Sequence, residues 1–247
     1  TRAEVARLRD LLVPLSTDIR VIAHLDDPAR MLLRRYPGQL HEGRSRGLDL
    51  ELDLTQAPGF FDAALATRPE ADPQAGLFGE AQGANFWLDF KGLQRFWEDV
   101  FGRGAVSFHS LDMDLLRKPE APQALARAFD LPGPLGRVDP WEPSTTPSAA
   151  WLTRCRLFND AVLRLLAQKQ VILPRQLWRK FLVEIKVPGA PIQPGSLAAL
   201  SRHFAADIAA LCAEHPGLSP ERMAADPPAA PWREADPTRG FRATQYL

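Results

Sequence analysis

The sequence predicts an α/β domain: a small, mainly parallel sheet flanked by helices, with a helix-rich C-terminal half. Three observations carry this. A short, β-branched, nearly continuous apolar run at residues 18–25 reads as a buried strand, and helical periodicity resumes directly after it. A second strand-like segment, 105–111, again sits between helical patterns. From Ser148 onward, three long stretches place apolar residues at helical spacing. Strands alternating with helices are the pattern of a parallel sheet with helical crossovers.

Taken in order, Val5, Leu8, Leu11, Leu12 and Leu15 share one face of a helix over 3–15. The first strand, 19–25, is stopped by Asp26-Asp27-Pro28. Asp27 is a good N-cap and Pro28 suits the first helical position, so a helix starts there. That helix meets Pro37-Gly38 and is expected to continue, kinked, to Gly43. Residues 69–85 read as a long surface loop of the kind that often serves function. Leu93, Phe96, Trp97, Val100 and Phe101 line one face of a helix over 91–101, ended by Gly102. After the second strand a helix spans 120–129, and the Pro/Gly-rich stretch 131–147 reads as an extended connection. Three helices then span 149–170, 174–187 and 194–215, the last closed by Pro216-Gly217. The tail, 226–247, mixes prolines with Trp232, Phe241 and Tyr246 and is expected to pack along the body as an arm. These elements suggest an α/β core at 1–147 and a helical subregion with its tail at 148–247, within one continuous domain.

The 247 residues are 45% hydrophobic and 24% charged, an ordinary globular balance. Thirty basic and thirty acidic side chains cancel, which argues against a nucleic-acid partner, since such proteins carry a basic excess. No apolar run approaches the ~18 residues of a membrane span, and no apolar segment follows Thr1 as it would in a signal peptide. The expectation is a soluble, cytoplasmic protein without a membrane partner. Cys155 and Cys212 lie in helical apolar patterns and read as buried free thiols, not as a disulfide or a zinc site.

Three short stretches carry a family resemblance. Asp26-Asp27-Pro28 ends a strand, and the helix after it bears Arg34-Arg35-Tyr36. Leu93-Gln94-Arg95-Phe96-Trp97-Glu98-Asp99-Val100-Phe101-Gly102 leads into a strand. Phe204-Ala205-Ala206-Asp207-Ile208-Ala209-Ala210-Leu211 lies near the end. Together with the element order they resemble bacterial sulfotransferases, which have a P-loop nucleoside triphosphate hydrolase-like fold. The resemblance implies a donor, 3′-phosphoadenosine 5′-phosphosulfate, whose sulfo group passes to a hydroxyl or amine of a small-molecule or glycan acceptor. It also implies that the donor's 3′-phosphate sits at the first strand–helix step. There Asp27, Pro28 and Tyr36 keep the family pattern, while Asp26, Arg30 and Arg34 replace its Arg, Asp and Ser. The family's Gly-rich phosphate loop has no counterpart in this sequence. The resemblance is therefore to a degenerate version of the fold, or to the part that follows that loop.

The candidate donor-binding residues are Asp26, Arg30, Arg34, Tyr36 and Arg44. Arg34 offers a fork of donors suited to phosphate, and Asp26 would oppose one. The same spacing of four also makes Asp26, Arg30 and Arg34 an ion-pair ladder. In His41-Glu42-Gly43-Arg44-Ser45-Arg46-Gly47, Arg44 and Arg46 could pair with phosphate beside glycine amides. That cluster is equally a basic helix C-terminus in solvent. His24 reads as a hydrogen-bonded core residue, His215 as a helix end, and the tryptophans as packing. No general base and no metal ligand set stands out. Three functions remain: a sulfotransferase, a non-catalytic binding or interaction module on a degenerate sulfotransferase fold, or a helical interaction domain in which residues 148–247 dock a partner.

Overall fold

A computed structural model describes residues 1–72, 77–133, 135–136, 146–168 and 173–238. In chain order the elements are α1 (Arg2–Leu12), β1 (Val21–Leu25), α2 (Pro28–His41), α3 (Asp49–Leu54), α4 (Phe60–Ala66), α5 (Gly79–Gln82) and α6 (Phe90–Phe101). Then come β2 (Val106–Ser110), α7 (Ala121–Ala128), α8 (Ala149–Ala167), α9 (Arg175–Glu184), α10 (Ala198–His203), α11 (Ala205–Glu214) and α12 (Pro220–Met223). The chain is α/β, with one two-stranded parallel sheet among the described residues. β1 pairs with β2 in register from Val21↔Val106 to Leu25↔Ser110. Contacts group the chain into two compact units that interleave along the sequence instead of dividing at residue 147.

The first unit comprises residues 1–27, 89–145 and 204–224. It holds the sheet. β1 was expected to be buried on both faces, yet four of its five residues are only half-buried. β2 is its only strand neighbour among the described residues. Alternation along β2 sends Phe108 and His109 to opposite faces. Phe108 is 1% exposed and packs on His215, the rings tilted by 51° with centroids 4.9 Å apart. His109 instead faces His24 across the parallel pair, centroids 5.6 Å apart. His24, expected to be hydrogen-bonded in the core, is half-buried and packs on His109 and Phe129. The turn after α11 adds to the outer side of β2: Ser110 N–H donates to the Gly217 carbonyl at 2.9 Å. A Cβ on Gly217 would lie 2.6 Å from the Phe108 carbonyl oxygen, so only glycine lets the turn pass this close. α6 begins where the Asp89 carboxylate accepts the Gly92 N–H at 2.7 Å, and it packs against α1 and α11.

The second unit comprises residues 28–88, 146–203 and 225–247. Leu32, Tyr36 and Leu40, spaced by four, form the buried stripe of α2, which packs on α8 and α10. α2 runs through Pro37 and ends at His41, two residues before the expected Gly43. α3 and α4, of six and seven residues, were not anticipated; such short helices leave little periodicity to read. The expected loop at 69–85 contains α5 and an antiparallel bridge between Asp72 and Leu77, and it buries Gln82 and Asn85. The expected helix over 194–215 is broken. A 3₁₀ turn (Pro194–Leu197) leads into α10, and the helix lapses at buried Phe204 (φ −95°, ψ 2°) before α11. The tail does pack as an arm where it is described. Ala229 N–H donates to the Gly195 carbonyl and Trp232 N–H to the Ser196 carbonyl, both at 3.0 Å. The Arg156 guanidinium pairs with Glu234. Phe241 and Tyr246 lie outside the described residues, as does most of the connection 131–147.

No helix among the described residues is long and apolar enough to cross a membrane. Both cysteines are free. Cys155 is fully buried in α8, and burial pushes its thiol up to about 12; Cys212 is half-buried.

Candidate functional site

The basic cluster after α2 is built by the way that helix ends. Gly43 takes φ +95°, the left-handed conformation that glycine adopts without cost. Arg44 N–H then donates back to the Gln39 carbonyl at 2.9 Å, and Gly43 N–H to the Leu40 carbonyl at 3.0 Å. This is a glycine-terminated reversal in which the chain folds under its own last turn. It carries the Arg44 side chain inward, to 0% exposure.

A guanidinium has five N–H donors and no acceptor. In Arg44 all five are taken. Nε donates to the Arg46 carbonyl (3.0 Å); Nη1 donates to Gln39 Oε1 (2.9 Å) and Glu51 Oε1 (3.0 Å); Nη2 donates to the Gly47 carbonyl (2.9 Å) and Glu51 Oε2 (2.8 Å). Glu51, also 0% exposed, accepts in addition from the Asn85 side-chain amide at 2.8 Å and backbone N–H at 3.1 Å. Gln39 and Asn85 exchange amide hydrogen bonds. Gln82 donates to the Gly43 carbonyl and accepts from Ser45 N–H. Asn159 of α8 closes the far side: its amide donates to the Leu40 and Arg44 carbonyls, both at 2.8 Å. Its oxygen accepts the Trp178 indole N–H at 2.7 Å. A buried charge is tolerated only when paired and fully hydrogen-bonded, and this network supplies both conditions.

Tyr36 belongs to the same core. Its ring lies under the Arg44 guanidinium, 5.1 Å from centroid to Cζ, and its hydroxyl donates to the Arg46 carbonyl at 3.3 Å. Burial raises its phenol above the ordinary range. Tyr36 and Arg44 are thus brought together, on each other rather than around an open space. Arg30 pairs with Asp226 of the arm at 2.5 Å. Arg34 and Arg46 are exposed. Asp26, at the end of β1, is 5% exposed, and its Oδ1 accepts the Asp27 N–H at 2.8 Å.

A second feature went unnoticed in the sequence. In the first unit a cleft of about 780 Å³ opens between α6 and α11, with His215 at its wall. His215 caps the end of α11 and is 9% exposed, and its Nε2 has no hydrogen-bond partner among the described residues. Burial holds its imidazole below the ordinary value; Glu214 and Glu98 act in the opposite direction, and His109 adds to the lowering. Burial thus favours the uncharged ring. Nothing in the local sequence marks His215 beyond its place before Pro216-Gly217, because its surroundings come from segments more than 100 residues apart. Among the described residues no three His, Cys, Asp or Glu side chains converge to hold a metal ion.

No protein-family model matches the chain, and neither a curated protein nor a solved structure is detectably similar to it.

Proposed function

We propose that this chain is a non-catalytic binding module on a sulfotransferase-like fold, in which the basic residues after the first strand hold the fold instead of a nucleotide. The observation that carries the reading is the saturation of Arg44. An arginine whose five donors are met by carbonyls, an amide and a carboxylate has none left for phosphate. Tyr36 and Arg30 are likewise engaged within the protein. The family likeness rests on element order: a strand, Asp27-Pro28 and a helix, then α6 running into a strand that pairs parallel with the first.

The catalytic alternative keeps one specific support, the exposed Arg34 on α2, whose fork suits the 3′-phosphate of 3′-phosphoadenosine 5′-phosphosulfate. Against it stands the transition state, which gathers charge on the sulfo and bridging oxygens. The family meets that charge with a Lys and backbone amides that this sequence does not contain, and such preorganised positive charge is usually the largest catalytic contribution. Incubating the chain with labelled donor and a panel of hydroxyl and amine acceptors is expected to give no transfer above the uncatalysed background. Transfer that Arg34→Ala abolishes would establish the enzyme instead.

A further inference from the structure

The C-terminal arm lies where the second unit is shaped for an extended chain. Among its described residues, 225–238, none belongs to a helix or strand and none is fully buried. Its backbone is nevertheless fixed at two points: the Gly195 carbonyl accepts the Ala229 N–H and the Ser196 carbonyl accepts the Trp232 N–H, both at 3.0 Å. Gly195 is buried beneath the arm. A Cβ there would lie 2.0 Å from the Pro227 carbonyl oxygen, so glycine alone leaves room for the chain to cross. Gly47 also belongs to this floor: Cη2 of the half-buried Trp232 ring lies 3.6 Å from where a Gly47 Cβ would be. All of these residues belong to the second unit.

Charge fixes both ends of the segment. Asp226 pairs with Arg30 at 2.5 Å. Further along, the two oxygens of Glu234 accept from Nε and Nη2 of Arg156, the side-on fork that suits a carboxylate. The two sides of these pairs are unequal. Arg30 and Arg156 are 21% and 16% exposed, and Nη1 of Arg156 donates to the Ser45 carbonyl at 3.2 Å; Asp226 and Glu234 are each 36% exposed. The cations therefore belong to the body and the carboxylates to the arm. Salt screens pairs with an exposed member, so they hold the arm only weakly. With the arm lifted, Arg156 keeps a half-buried fork that an anion would fill. Pro227, Pro228 and Pro231 fix φ along the segment, so a chain of this composition has little freedom left to lose on docking.

We propose that Arg30, Gly47, Arg156, Gly195 and Ser196 form a groove for an extended, proline-rich peptide flanked by carboxylates. The chain's own segment 226–234 is its tethered occupant, and a segment of the same chemistry from a partner protein takes its place. The groove is separate from the Arg44 core and does not rest on the function proposed above, so peptide and nucleotide titrations succeed or fail independently. A tethered segment acts at an effective concentration in the millimolar range, and a free peptide must compete with it.

The probe is a synthetic peptide with the sequence of residues 225–238, titrated into the uniformly labelled full chain and followed by amide shifts. In the double variant Asp226→Lys/Glu234→Lys, lysines face Arg30 and Arg156, which lifts the arm and leaves the groove intact. Saturable shifts at Ser45, Gly47, Gly195 and Ser196 are expected there, with binding at least about tenfold tighter than to the original chain, whose own arm competes. A peptide with lysine at both acidic positions should bind the double variant at least about tenfold more weakly, since it loses the charge-assisted contacts. Should the double variant misfold, hydrogen exchange on the unaltered chain decides. The Ala229 and Trp232 amides should exchange at least about 100-fold faster than those of Cys155 and Asn159 in α8, because the arm opens on its own. An absence of saturable shifts in the double variant, equal binding of the two peptides or by the two chains, or arm amides as protected as those of α8 would each overturn the proposal. So would a rise to dimeric mass with concentration, in which a second copy's arm fills the groove.

Discussion

Replacing Glu51 with alanine is expected to destabilise the chain by about 3–5 kcal/mol, the cost of leaving one member of a buried ion pair without the other. Glu51 faces Arg44 with both oxygens, and both side chains are at 0% exposure. The substitution leaves two guanidinium donors and the Asn85 N–H groups that Glu51 accepted with no partner and no route to water. Because domains are stable by only ~5–15 kcal/mol, a change of this size brings the chain close to unfolding. The control is Asp99→Ala, which breaks the Arg2–Asp99 pair between side chains 70% and 51% exposed. Solvent-exposed pairs of that sort contribute about 0–1 kcal/mol. Urea denaturation of the two variants side by side makes the measurement. A loss below about 1 kcal/mol for Glu51→Ala would show that Arg44 is not held as described.

Asn159→Leu should have an effect nearly as large, by a different route. Leucine fills almost the same volume, so no substantial cavity is left. What is lost is the single amide that serves the Leu40 carbonyl, the Arg44 carbonyl and the Trp178 indole at once. The Leu40 carbonyl keeps the Gly43 N–H, but the Arg44 carbonyl and the Trp178 indole are left without a partner, each at a cost of about 1–3 kcal/mol, which sets the expectation at roughly 2 kcal/mol or more. The indole N–H resonance of Trp178, 3% exposed, should shift in the folded variant as it loses its acceptor, and thermal unfolding should move to lower temperature. A leucine variant as stable as the original would mean that these groups find other partners.

The two residues also show what can and cannot be read from sequence. The β1–α2 step was legible because it is local: a β-branched run, then Asp27-Pro28. The α6 helix was legible from its apolar face, and the parallel pairing followed from strands alternating with helices. Arg44 was legible only as a charge. Its fate depends on the Gly43 reversal and on Glu51, Asn85 and Asn159, which reach it from α3, from the segment after α5 and from α8. No periodicity links those positions, so the Gly-flanked cluster could be read as a helix end in solvent or as an anion site, but the burial of Arg44 could not be read at all. His215 is the converse, a helix-end histidine made distinctive by Phe108 and Glu98, both more than 100 residues before it. The break at Phe204 was hidden for a simpler reason. The apolar spacing continues through it, and only burial of that side chain shows where the helix yields.

On the proposed function, the basic residues after the first strand serve the fold and not a nucleotide. Calorimetric titration of the full chain with 3′-phosphoadenosine 5′-phosphate tests it most directly, with Arg34→Ala and Lys118→Ala alongside. No saturable heat is expected at millimolar nucleotide for any of the three. Stoichiometric binding by the original chain, weakened about tenfold or more by Arg34→Ala and left alone by Lys118→Ala, would contradict it and place a working donor-phosphate site on α2.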